Sequence, residues 1–83
     1  MKIALDYDGT MTKDFPFWEE FIELAKGMGH EVAIVTKRYE EETIKKDFNV
    51  PVYYMCRINK IFCEFKPDIW IDNNPFDITG YPS

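Results

Sequence analysis

Four short apolar runs, at residues 3–7, 32–36, 52–55 and 69–71, set the limits on what this chain of 83 residues can fold into. Each reads as a brief strand of the kind that a parallel sheet buries on both faces. Residues 16–28 between the first two follow a helical period, with Phe17, Phe21, Leu24, Ala25 and Met28 on one face and Trp18 and Ile22 widening it. Asp14 or Thr12 can cap that helix, Pro16 is tolerated in its first turn, and Gly27 and Gly29 close it. Residues 39–47 predict a second, solvated helix, with Glu40, Glu41 and Glu42 in its first turn and Lys45 and Lys46 in its last, matching the helix dipole. Asn49 suits a turn, and Pro51 marks the third strand as an edge. Ile58, Ile61, Phe62 and Phe65 stand at i, i+3, i+4 and i+7, which predicts a third helix with that stripe in the core, ended by Pro67. From Asn73 to Ser83 the chain is polar and turn-rich, and no regular element is expected. Four βα-like units define an α/β domain with a parallel sheet and right-handed crossovers.

A chain this short makes one domain, residues 1–83, close to the lower size at which a core suffices. With 46% hydrophobic and 17% aromatic residues, its few core positions are bulky. The formal charge of −5 argues against a general nucleic-acid coat or an anionic membrane surface as partner. No apolar run approaches a membrane span and Met1-Lys2 leads straight into a strand, so a cytoplasmic location is expected. Cys56 and Cys63, seven residues apart on one predicted helix, would lie about 10 Å apart, beyond disulfide reach, and are read as reduced packing thiols. His30 belongs to the turn before the second strand, and it forms no metal-like spacing with the two cysteines.

The chemistry concentrates at the strand ends. In an extended strand, Asp6 and Asp8 project the same way while Tyr7 faces away. Two close carboxylates raise each other's pKa unless a cation sits between them. A divalent metal is the simplest such cation, and oxygen-only ligands favour magnesium. Ligands on parallel sheets bind beyond the carboxyl ends of the strands. Asp6 and Asp8 end the first strand, Thr36 the second and Asp72 the fourth, so three distant segments converge on one rim.

These residues resemble the motifs of the haloacid dehalogenase (HAD) superfamily of phosphohydrolases. Asp6-Tyr7-Asp8-Gly9-Thr10 is similar to its first motif, an apolar strand followed by Asp-x-Asp-x-Thr. Ala33-Ile34-Val35-Thr36 looks like the second, Lys60 is the best-placed match to the motif lysine, with Lys37 and Lys66 as rivals, and Ile69-Trp70-Ile71-Asp72 looks like the fourth. The resemblance spans residues 3 to about 77 and implies a small Rossmann-like, three-layer domain with strand order 3-2-1-4 flanked by helices. It implies phosphoryl transfer through an aspartyl-phosphate on Asp6, with Asp8 as general acid and then base. Thr36 and Lys60 would hold the phosphoryl oxygens, with Gly9, Thr10 and Lys37 also on the substrate side. Magnesium would be bound by Asp6, the backbone carbonyl of Asp8, and Asp72.

The chain departs from the pattern in three places. Asn73 and Asn74 follow Asp72 where many members carry a second acid, leaving Asp77 as candidate second metal carboxylate or the site one acid short. Lys37-Arg38 follow Thr36 where the family often has Gly or Asn; with Arg57 and Lys60 they make the rim basic and suggest an anionic ligand. No insertion provides a cap domain, and capless members often act on large substrates. The expected partner is therefore a phosphorylated substrate, small or macromolecular; a nucleic-acid end is an option that the net charge does not favour. Exposed edges at strands three and four give a reason to form a homodimer. The alternative function is a non-catalytic phosphate- or metal-binding or regulatory domain. A phospho-acceptor receiver domain would need an Asp after strand three, where this chain has Met55-Cys56.

Overall fold

The computed structural model describes residues 1–80. Its four strands are β1 (Lys2–Leu5), β2 (Glu31–Thr36), β3 (Val52–Tyr54) and β4 (Ile69–Ile71). They form one parallel sheet in the order β3-β2-β1-β4. This is the small Rossmann-like α/β arrangement with the first strand inside the sheet. Ala4 pairs with Ala33 on one side and Trp70 on the other. Residues 3–5 and 32–36 are buried without exception, as inner parallel strands require. The Pro51-marked β3 is an edge strand, as its sequence predicts.

Helix α1 (Phe15–Gly27) connects β1 to β2 and covers one sheet face. Asp14 caps it by accepting the Phe17 N–H at 3.2 Å. Its end is a Schellman turn: the His30 N–H reaches the Ala25 carbonyl and the Gly29 N–H the Lys26 carbonyl, both at 3.0 Å. Gly29 sits at φ +89°, the left-handed position this turn needs. The seam differs from the expected one. Ile22 and Ala25 are buried, with Phe15, Trp18 and Phe21 packed beside them, whereas Phe17, Leu24 and Met28 are exposed. Apolar residues cover so much of this helix that its period does not choose a seam. Contacts beyond the helix do: Phe15 packs between Tyr7 and Phe48, with ring centroids 5.9 Å from each.

Two expected helices are single 3-10 turns. In residues 39–47 only Glu40–Glu42 is helical. The Ile44 N–H, which a helix would direct to a backbone carbonyl, instead reaches the Tyr54 hydroxyl at 3.0 Å. The segment then runs irregularly, burying Ile44 and Phe48 against the sheet. Short helices without a packed face propagate poorly, so tertiary contacts override the charge pattern.

The stripe at 58–65 is likewise overturned. Only Lys60–Phe62 forms a turn, and Ile58, Ile61 and Phe62 are exposed while Lys60, Cys63 and Phe65 are buried. Burying Lys60 fixes which side of the turn faces inward, and the extended backbone at Cys63 lets Phe65 reach the second sheet face. That face holds only a small cluster around Ala4, Ala33, Val35, Cys63 and Phe65, covered by irregular chain rather than by a helix. Both cysteines are free, Cys56 exposed and Cys63 buried, although they share no helix.

Within the expected structureless tail, Phe76–Thr79 forms a short helix, α2; residues 81–83 lie outside the described residues. No described helix is long and apolar enough to cross a membrane. Only α1 intervenes between β1 and β2 beyond a 3-10 turn at Met11–Lys13, so no cap subdomain is inserted there.

Candidate functional site

Sheet hydrogen bonding builds the site. The Asp6 N–H donates to the Ile71 carbonyl at 2.9 Å, extending the β1–β4 ladder by one step and bringing Asp6 beside Asp72. Lys60, only 1% exposed, places its Nζ 2.7 Å from Asp6 Oδ1 and 2.7 Å from Asp72 Oδ2. The two carboxylates from opposite ends of the chain thus share one ammonium. Of the three candidate lysines, Lys60 is the one that reaches Asp6. Lys37 lies 3.7 Å from Asp77 and Lys66 donates to the Ile61 carbonyl.

Asp6 and Asp8 leave the strand, which ends at Leu5, and their surroundings differ sharply. Asp6 is 6% exposed; burial pushes its carboxyl above the ordinary carboxylate range, with Lys60 opposing that rise. Asp8 is half exposed at its side chain and is clamped by Arg38 through two bonds of 2.8 and 2.7 Å. The Arg38 hydrogen bonds hold its carboxyl below the usual range. Each carboxylate therefore has its own side-chain cation, and the charge argument for a metal shared between Asp6 and Asp8 falls away.

Asp6, Asp8, Thr36, Lys37, Arg38, Arg57, Lys60 and Asp77 line one cavity of about 170 Å³ at the carboxyl ends of the strands. Thr36 is buried, and its Oγ1 accepts the Arg38 N–H at 3.3 Å, a turn at the strand end that leaves the hydroxyl proton free to donate. Thr10 and Gly9 act through neighbours. Thr10 donates to Asp6 Oδ2 at 3.0 Å. Gly9, at φ +87°, is met so closely by Asn73 that a Cβ there would lie 2.5 Å from Asn73 Nδ2.

The two asparagines after Asp72 build the turn into α2. Asn74 donates its N–H to Asp72 Oδ1 at 2.9 Å, and its own Oδ1 accepts the Phe76 N–H at 3.1 Å. An Asp-Asn-Asn-Pro run carries that turn signal in the sequence. The Arg38 clamp on Asp8 has no comparable signal, since thirty residues separate the pair.

The site can be tested as a magnesium site on its own donor set. Asp6, Lys60 and Asp72 together carry a formal charge of −1, and each carboxylate oxygen keeps lone-pair capacity beyond the bonds it makes. Two buried carboxylates of net negative charge fit a hard cation that keeps most of its waters. Asp77 stands on the cavity wall as an outer carboxylate. Among the described residues no group of three His, Cys, Asp or Glu side chains forms a ready-made cage. His30 lies elsewhere, its Nδ1 2.8 Å from the Met1 amine.

The chain matches no family model, no curated protein and no solved structure.

Proposed function

We propose that this chain is a capless, HAD-like phosphatase or phosphotransferase that forms an aspartyl-phosphate on Asp6. One observation carries the reading: Asp6, Asp8, Thr36 and Lys60, which derive from three separate segments, line a single cavity, with Asp72, from a fourth, joined to Asp6 through Lys60. Carboxylates, a hydroxyl and an ammonium in that arrangement suit attack on a phosphoryl group better than they suit acyl transfer or redox chemistry.

In the first step a carboxylate oxygen of Asp6 forms a bond to phosphorus while the bond to the leaving oxygen breaks. Lys60 and Thr10 fix the orientation of the Asp6 carboxylate. Thr36 and Lys60 would donate to the phosphoryl oxygens as charge builds on them. Asp8 protonates the departing oxygen, then takes a proton from the water that attacks the aspartyl-phosphate; such proton transfer is worth roughly 10²–10⁴-fold. The Arg38 clamp keeps Asp8 as a carboxylate, the form needed in the second step; for the first step the clamp must open, so that Asp8 takes up from solvent the proton it delivers. Asp6 and Asp72 would hold magnesium, which supplies positive charge against the phosphate and so lets an anionic nucleophile approach it.

The same clamp favours the second reading, a domain that binds phosphate or metal without turnover, because it occupies both oxygens of the acid/base. Release of phosphate from a chromogenic phosphomonoester separates the two. Wild-type protein is expected to exceed an Asp6→Asn control by orders of magnitude with magnesium present. Equal rates, together with calorimetric phosphate binding, establish the binding domain instead.

A further inference from the structure

Of the four cations that line the cavity, Lys60 is locked and Arg38 and Arg57 are exchangeable, while Lys37 lies 3.7 Å from Asp77. Lys60 is buried between two buried carboxylates, and removing it would leave both uncompensated. Arg38 and Arg57 belong to the rim. Their partners, Asp8 and Glu42, have side chains 53% and 44% exposed. Exposed ion pairs are worth about 0–1 kcal/mol, so a dianion entering the cavity can replace these carboxylates at little expense.

Both guanidiniums are also held by something other than a carboxylate. Arg38 lies over the Tyr7 ring at 5.0 Å and donates to the Glu42 carbonyl at 3.0 Å. Arg57 lies over the Tyr39 ring at 5.5 Å. Each keeps its place when its acidic partner is exchanged.

The backbone joins the two arginines. Cys56 and Arg57 adopt φ of 52° and 66°, the left-handed region that side chains of this size rarely occupy. Their N–H groups donate to the carbonyls of Arg38 and Lys37, at 3.1 and 2.8 Å. The strained turn thus stitches the segment carrying Arg57 onto the segment carrying Arg38, and both side chains reach the cavity that holds Asp6.

We propose that Arg38 and Arg57 form a subsite for a second phosphate, so that the substrate is a small organic bisphosphate. The inference rests on phosphoryl transfer at Asp6: one phosphoryl group meets Asp6 and the other exchanges with Asp8 and Glu42. Two guanidinium forks match the oxygens of a phosphate, whereas a carboxylate would satisfy only one fork. The cavity is small and the chain as a whole is anionic, which selects a small ligand over a polyanion.

Steady-state kinetics with propane-1,3-diol bisphosphate and with propyl phosphate test this, using wild-type protein, Arg38→Gln/Arg57→Gln and Arg38→Lys/Arg57→Lys. Charge-assisted hydrogen bonds predict a wild-type preference for the bisphosphate of roughly tenfold to a hundredfold in kcat/KM. The ratio is expected to fall to about one in the double Gln variant and to an intermediate value in the double Lys variant, with circular dichroism showing both folded. A wild-type ratio near one, or a ratio that survives the double Gln substitution, overturns the proposal. An equal gain from a carboxylated propyl phosphate overturns the phosphate assignment, and a 5′-phosphorylated oligonucleotide that outperforms the bisphosphate overturns the small-molecule one. If no ester is cleaved faster than by Asp6→Asn, the phosphatase reading has failed, and calorimetry then decides the subsite alone. Bisphosphate binding at least tenfold tighter than monophosphate binding, lost in the double Gln variant, upholds it; equal binding overturns it.

Discussion

The buried triad of Asp6, Lys60 and Asp72 and the open rim pair of Asp8 and Arg38 use the same chemistry, carboxylate against cation at about 2.7 Å, to opposite physical effect. In the triad, the groups are almost wholly buried and the lysine is the one cation between two carboxylates. At the rim, water competes for both groups, and the pair is cheap to part. The lesson is that contact distance says little about a pair's worth; solvent access decides it. Under the proposed function the two kinds divide the work, the triad holding Asp6 still and the rim pair yielding to a ligand.

The largest expected effect comes from breaking the triad. Lys60→Met leaves two carboxylates buried without their cation and is expected to cost about 3–5 kcal/mol, out of roughly 4–12 kcal/mol for a chain of this length. Urea denaturation followed by circular dichroism measures it. Adding Asp6→Asn and Asp72→Asn to Lys60→Met should restore more than half of the loss; no recovery would mean that the uncompensated carboxylate charge is not its source. Next in size is Gly9→Ala, which opposes a positive φ and drives a Cβ into Asn73. It is expected to cost about 1–3 kcal/mol by the same measurement.

Arg38→Gln should cost less than about 1 kcal/mol. A loss matching that of Lys60→Met would erase the distinction between rim and triad. The finest test is titration of the aspartate carboxyl carbons by NMR, with Asp6 expected above the ordinary carboxylate range and Asp8 below it. The signs of their stability contributions differ. Asp8 contributes stability that is present above its unfolded pKa and lost as pH falls through its folded one. Asp6 binds its proton more tightly when folded, so its contribution is present below its unfolded pKa and lost as pH rises through its folded one. Arg38→Gln should raise the Asp8 value; an unchanged value would mean that the clamp is absent in solution.

The two sheet faces repeat the contrast between what is legible in a sequence and what is not. On the α1 face, a capping Asp14, a Schellman Gly29 and a long apolar period announce a helix whose extent is read correctly to within a residue. On the opposite face, the stripe Ile58, Ile61, Phe62 and Phe65 is equally regular and misleads, because Lys60 must turn inward and takes the surrounding turn with it. Residues 39–47 fail as a helix for a related reason: the Ile44 backbone finds Tyr54, ten residues on. Local patterns foretell elements that their own residues stabilise. They do not foretell elements whose shape depends on partners far along the chain.

The amino-acid order alone determined four inner and edge strands, the polarity of the sheet and the rim on which Asp6, Thr36 and Asp72 would meet, because strand period and strand-end position are local properties. Only the folded chain decided that Lys60 would join the two carboxylates and that Arg38 would seize Asp8. Those choices follow from burial and from approach in space, and neither is written in the spacing of residues.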